Sequence, residues 1–207
     1  MKRVGGDPTL DFVNTVGGRV SGEVRADKLG TFSDLVAWSR HGGLIGDGEA
    51  RALLQSAARR PREAGRVLAR ARRLREALYG VLDALKDGRA PRPADLEVVS
   101  DELAAARRHD RLVPVRGGLE WRSAEAGGGL EAVLRPICHA ASSLLTAGGL
   151  SRLRQCGGTD CGWLFLDRSR NHSRQWCTMD DCGNVSKVRR FRQRRRRRAG
   201  GQGKEVG

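Results

Sequence analysis

Four cysteines near the C-terminus, Cys156, Cys161, Cys177 and Cys182, constrain this chain more than any other feature. They form two C-x4-C pairs separated by fifteen residues, a layout that lets two tight turns aim four sulfurs at one point. Gly157, Gly158 and Gly162 supply the backbone freedom such turns need. Four thiolates suit a tetrahedral ion, and the expected occupant is one zinc ion. A fully thiolate-ligated zinc keeps no open position for water, so the expected role is structural. Its net charge of about −2 calls for guanidinium and N–H partners, for which Arg154, Arg168 and Arg174 are the candidates. His172 could stand in for one thiolate, but four paired thiols leave no need of it. Trp163, Leu164, Phe165, Leu166 and Trp176 supply the apolar content of the module. They are expected to pack against the knuckle and the helix after it rather than to stack on bases.

The second cysteine pair leads straight into basic sequence. Of the net charge of +15, +10 lies between Ser151 and Arg198. Asn184 has the chemistry of an N-cap, and Val185, Val188 and Phe191 recur every third residue, a stripe expected to seat the helix on the zinc module. Lys187, Arg189, Arg190, Arg192, Arg194, Arg195 and Arg196 then lie on the open faces as candidate nucleic-acid contacts, within reach of a phosphate backbone. The run Arg194 to Arg198 reads as nonspecific phosphate binding, because five consecutive arginines cannot all face one groove. Residues 199–207, Gly-rich and polar, read as a disordered tail.

Before this module the sequence is mainly α. Leu10, Val13 and Val16 have helical spacing, ended by Gly17 and Gly18. Thr31 with Asp34 reads as a capping box for a helix running to Gly42. A third helix spans Asp47 to Arg59, with Pro61 as its terminator. The longest runs from about Arg62 to Lys86 on the seam Ala64, Val67, Ala71, Leu74, Leu78, Val81 and Leu85. That seam could pair two copies in a coiled coil, but Leu68 and Leu82 widen it and favour an intramolecular bundle. Pro93 opens a helix to about Arg107. Leu112–Val115 and Leu119–Arg122, flanking Gly117 and Gly118, read as a small β-hairpin. A final helix from Leu130 to Gly148 should be kinked by Pro136 and should bury Cys138. The expected organisation is a helical bundle with a hairpin over residues 1–149, then a zinc-stapled module with its basic helix over 150–198.

The chain shows no apolar run of about 18 residues and no signal-peptide pattern after Met1, so it reads as cytosolic with no membrane partner. In a reducing compartment paired cysteines favour metal over disulfides. Thirty-four arginines against five lysines, with abundant Ala and Gly, point to a GC-rich bacterial genome.

The string Cys156-x4-Cys161-Gly162-Trp163-Leu164-Phe165-Leu166-Asp167-Arg168-Ser169-Arg170-Asn171, continued by Arg174, Trp176, Cys177, Met179 and Cys182-Gly183-Asn184, closely resembles the CGNR zinc finger. In that family the finger follows a helical domain called ABATE, whose opening motif is similar to Leu10-Asp11-Phe12-Val13-Asn14-Thr15; Asp34, Leu35 and Trp38 also look similar. The resemblance implies a bacterial, zinc-binding, stress-responsive transcription regulator with the four cysteines as ligands. One position departs from it: Val185 stands where the family has arginine after Cys-Gly-Asn.

The leading functional expectation is a regulator whose finger and basic helix bind duplex DNA, while residues 1–149 dimerise or sense a ligand. Asp11, Asn14 and Thr15 are the candidate sensing residues. The alternative is a zinc-stabilised protein- or RNA-contact module with only nonspecific polyanion binding. No enzyme is expected, because the four scattered histidines form no nucleophile–base pair, carboxylate cluster or open metal site. Serine at Cys161 or Cys182 is expected to release zinc and unfold the module while the helical domain survives.

Overall fold

The computed structural model describes residues 2–20, 26–123 and 129–201, with side chains described as far as Arg195 except at Ser123. Among them are seven α-helices and three two-stranded antiparallel ribbons. The side chain of Arg196, and the part of the expected tail beyond Gly201, lie outside the described residues.

Helix α1, Pro8–Val13, is shorter than its apolar spacing suggests. Asp7 caps it by accepting from the Thr9 N–H at 2.8 Å, and Pro8 fits the first turn, where no N–H is needed. Val16 does not extend this helix; it enters β1, Val16–Gly17, which pairs with β2, Ala26–Asp27. Helix α2, Phe32–His41, carries the expected capping box, with Thr31 and Asp34 bonding each other's backbone N–H. Helix α3 spans Asp47–Arg59 as expected. Pro61 ends it and also opens α4, Pro61–Lys86, because the ring that stops one helix is pre-set for the first turn of the next.

Helix α4 is the centre of the bundle, and α1, α2, α3 and α5 (Pro93–Arg107) all pack on it. Its seam from Ala64 to Val81 is buried inside the chain, with Ala71, Leu74 and Leu78 fully so. The intramolecular reading therefore holds, and the seam is not free to pair two copies. Arg75, on the same helix, is buried with its guanidinium on both carboxylate oxygens of Asp27 at 2.7 and 2.8 Å. That bond comes first in holding the Asp27 carboxyl below its usual range.

The hairpin is present as β3 (Asp110–Val115) and β4 (Gly118–Ser123), but its turn is Arg116–Gly117, with Val115 facing Gly118. Gly117 takes a positive φ of 92° there. Among the described residues the ribbon has no further strand beside it, so Pro114 costs no sheet bond there. Leu130–Leu134 is a 3-10 turn leading into α6, Arg135–Thr146. Pro136 sits in the first turn of α6 and does not kink a longer helix. Cys138 is buried, and burial pushes its thiol up to about 12.

After a turn at Gly149–Arg152, β5 (Leu153–Gln155) pairs with β6 (Leu164–Leu166) in the register Leu153 to Leu166 and Gln155 to Leu164. Leu153, Leu164 and Leu166 join the same apolar core as the helices. Helix α7, Asn184–Gly201, follows a wide turn at Met179–Gly183 and includes residues 199–201, the start of the expected tail. No helix among the described residues is long and apolar enough to cross a membrane.

Candidate metal centre

Strand β5 delivers Cys156 and the turn before β6 delivers Cys161, while the loop after β6 returns with Cys177 and Cys182. The four sulfurs lie within 4.8 Å of one another. Cys161 Sγ is 3.7 Å from Cys177 Sγ, which is 3.5 Å from Cys182 Sγ. Zinc–sulfur bonds of about 2.3 Å in a tetrahedron place sulfurs about 3.8 Å apart, so the donor set fits one structural Zn²⁺. His172 is exposed and outside the cluster.

The thiols are close enough to hydrogen-bond to one another. Hydrogen bonds from the Cys161 and Cys177 thiols lower Cys156, and the Cys177 N–H adds a bond at 3.2 Å. Cys161 and Cys177 are correspondingly raised by bonding to Cys156, and burial followed by the Cys177 contact pushes Cys182 up to about 12. Only a divalent cation lets all four serve as thiolates, with release of their protons.

The glycines matter here in two ways. Gly162 takes φ 65°, as a tight turn requires. Gly158 is needed for space: a Cβ there would lie 2.9 Å from Cys182 Sγ and 3.1 Å from Cys161 Cβ.

Of the three arginines considered as partners of the centre, Arg174 has contacts that brace it. It donates to the carbonyls of Cys177 (2.5 Å), Trp176 (3.0 Å) and Val4 (2.8 Å), and its guanidinium lies 4.2 Å from the Phe165 ring. Arg154 turns back to the carbonyls of Ser151 and Leu153. The sequence reading overlooked Asp167, which is fully buried and accepts from the Ser169 N–H and hydroxyl and from the Arg174 N–H. The Ser169 hydroxyl comes first in holding this carboxyl below its usual range.

The module is built into the helical part of the chain. Asn14, buried at the end of α1, donates through Nδ2 to the Leu164 carbonyl (2.8 Å) and accepts at Oδ1 from the Leu164 N–H (2.9 Å). It thus acts as a further strand partner along the edge of β6. The Leu166 N–H donates to the Gly5 carbonyl at 2.8 Å, and Trp163 Nε1 donates to the Val16 carbonyl at 2.7 Å. Tyr79 on α4 donates to the Gly162 carbonyl at 2.9 Å and accepts from Gln155 at 3.0 Å. Asp11 holds the preceding segment by accepting from the N–H groups of Val4 and Gly5, both at 2.8 Å. Burial, the largest influence, still raises the Asp11 carboxyl. Thr15 donates to the Phe12 carbonyl and accepts from Arg75. Of the three, Asn14 alone bonds the finger directly; Asp11 and Thr15 spend the bonds named here within the helical part, and all three are buried.

Phe165 packs among the cysteines with Trp163 and Trp176 against them, as expected, and the Lys28 ammonium lies 4.7 Å from the Trp163 ring. The expected seat of α7 on the module is not found: Val185, Val188 and Phe191 are 66 %, 50 % and 62 % exposed. The helix leaves the knuckle from the Met179–Gly183 turn, and the knuckle's own apolar rings are committed elsewhere. Asn184 is likewise not the cap. Thr178 caps this turn by accepting from the Asp181 N–H, and Asn184 already has helical φ and ψ of −66° and −44°. Lys187, Arg189, Arg190, Arg192, Arg194 and Arg195 are all exposed. Arg189 reaches the Thr159 hydroxyl at 2.5 Å, and Arg190 lies 6.0 Å from the Trp176 ring.

The fold and the four-sulfur centre define a helical domain joined to a C-terminal zinc finger. The chain belongs to the ABATE family, whose model, described as "Putative stress-induced transcription regulator", matches residues 6–148, and residues 152–195 match the CGNR zinc finger. No curated protein matches it. Neither family description is that of an enzyme.

Proposed function

We propose that this protein is a cytoplasmic transcription regulator whose zinc finger and helix α7 bind duplex DNA. The observation that carries the reading is the state of α7: six exposed basic residues, Lys187 to Arg195, form no ion pair among the described residues, and the helix contains no acidic residue. Cations left unpaired on one rod attract a polyanion and release its counterions. Exposed Val185, Val188 and Phe191 on the same helix add apolar groups of the kind that contact thymine methyls, beside arginines suited to guanine edges. Zinc fixes the turn from which α7 departs. The residues proposed as contacts are Lys187, Arg189, Arg190, Arg192, Arg194 and Arg195, with Arg196 added from the sequence. Two half-sites would require two copies, joined through a surface other than the buried α4 seam.

The test is selection from random duplex DNA with zinc-loaded protein ending after Gln193, which removes the arginine run. An enriched motif is expected, with its affinity lost on R189A/R190A replacement and a salt slope of about 0.9 per phosphate neutralised. Absence of enrichment from the folded, zinc-loaded protein would sink the proposal and leave a protein- or RNA-contact module with nonspecific polyanion attraction.

A further inference from the structure

We infer that the helical domain carries a binding site for a small carboxylate with an aromatic or aliphatic body, in the cleft between α3, strand β4 and the start of α6. The cleft measures about 840 Å³, within the range of roughly 300–1,000 Å³ common to small-molecule sites. It lies away from Asp11, Asn14 and Thr15, the polar residues that the sequence singled out for sensing.

Its chemistry is divided along its length. Leu44, Leu53, Leu130 and Pro136 supply apolar lining, and the Trp121 ring forms one wall. Trp121 is 59 % exposed and its cross-strand partner Leu112 50 %, so the hairpin shows apolar side chains where its two strands alone cannot cover them. A large ring left in water beside a concave apolar surface gains by covering a bound apolar group.

Along α3 the lining runs from Glu49 through Leu53 and Ser56 to Arg59 and Arg60, and the first turns of α6 add His139 and the buried Arg135. Arg59 closes α3, is exposed, and has no ion pair among the described residues. Arg60 follows it and divides its guanidinium between Glu63 and the Ser56 hydroxyl. Of the acidic lining residues, Asp110 is engaged by His139 Nε2 at 3.2 Å. Glu49 stands ten residues before Arg59 on α3, about 15 Å away along the helix axis. The C-terminal end of α3 therefore brings the exposed Arg59 guanidinium to the cleft beside Arg60, which Glu63 partly neutralises, and Leu53 lies on α3 between that end and Glu49. A ligand matching both has one carboxylate at the Arg59–Arg60 end and an uncharged body along Leu53, Leu130 and Trp121. This site stands independently of the DNA-binding proposal.

The test is a titration of the full-length, zinc-loaded protein with 3-phenylpropionate, with octanoate, and with the methyl ester of each, followed by tryptophan fluorescence and by calorimetry. At least one acid is expected to bind saturably and about tenfold or more tighter than its ester, as a charge-assisted bond to arginine would require. R59Q/R60Q replacement should remove the preference for the acid while the melting temperature stays near that of the parent. Trp121→Phe should abolish the fluorescence change but leave calorimetric binding detectable. Acid and ester binding equally, no saturable binding of either acid, or binding indifferent to the arginine and Trp121 replacements would each overturn the site.

Discussion

Asn14 shows how much a single amide can hold. Its two bonds to Leu164 satisfy both the N–H and the carbonyl of a fully buried residue, 150 positions away in sequence. Asn14→Ala leaves both groups buried without a partner, and is expected to cost about 2–5 kcal/mol of stability in denaturant unfolding, with Asn14→Asp at least as costly because it buries a carboxylate whose second oxygen faces the Leu164 carbonyl. A cost under about 0.5 kcal/mol, the usual range for surface changes, would show that the edge of β6 finds another partner. At the metal centre the decisive residue is one without a side chain. Gly158→Ala puts a methyl group against the sulfurs of one ion, and zinc affinity measured by chelator competition should fall by roughly 10- to 100-fold. Unchanged affinity would mean that the turn can yield. The cysteine ligands were legible because their spacing is local and their chemistry narrow. The roles of Asn14, Tyr79 and Gly5 in holding the finger were not, since each depends on a contact across more than seventy residues that no local pattern records.

At the scale of elements, periodicity identified helices better than it identified what they face. The bounds of α3 and α5 follow from their sequence signals, and the α4 seam is buried as its width suggested. Pro61 stops α3 as its position suggests but also opens α4, and Pro136, expected as a kink, sits in the first turn of α6, where a missing N–H costs nothing. The three-residue stripe on α7 likewise falls on a face that is exposed to solvent. A double replacement, Val188→Ser with Phe191→Ser, should therefore leave the melting transition nearly unchanged, within about 0.5 kcal/mol of the parent. If the stripe did seat the helix on the module, the same change would cost several times more and lower the zinc-loaded melting temperature. The DNA-binding proposal adds that this variant, stable as it is, loses affinity for an enriched duplex more than for random sequence, because apolar contacts report base identity and phosphate contacts do not.

For the whole molecule the finger lends the leucines of its two strands to the bundle's core, while Cys156, Phe165 and Cys177 form a second, smaller cluster. Leu153, Leu164 and Leu166 pack among the helices, Gly5 and Asn14 bond the edge of β6, and Arg174 ties Val4 to the backbone of Cys177. A boundary near residue 149 is visible in composition and in the two family matches, but the hydrogen bonds and apolar contacts cross it. The sequence reading expects the helical part to outlast loss of the metal; the strand leucines in the bundle's core and the bonds to Gly5, Asn14 and Val4 predict coupling instead. Zinc binding is folding free energy for a thiolate site, and here the strand it fixes is the surface on which α1 rests. Chelation, or Cys161→Ser, should therefore lower the melting temperature of the bundle itself and speed hydrogen exchange at the amides of Leu10 to Thr15, far from any ligand in sequence. Calorimetry of the zinc-loaded protein should show one transition. Two transitions, with exchange in α1 indifferent to the metal, would mean that the contacts across residue 149 contribute little and that the finger folds as a separable satellite.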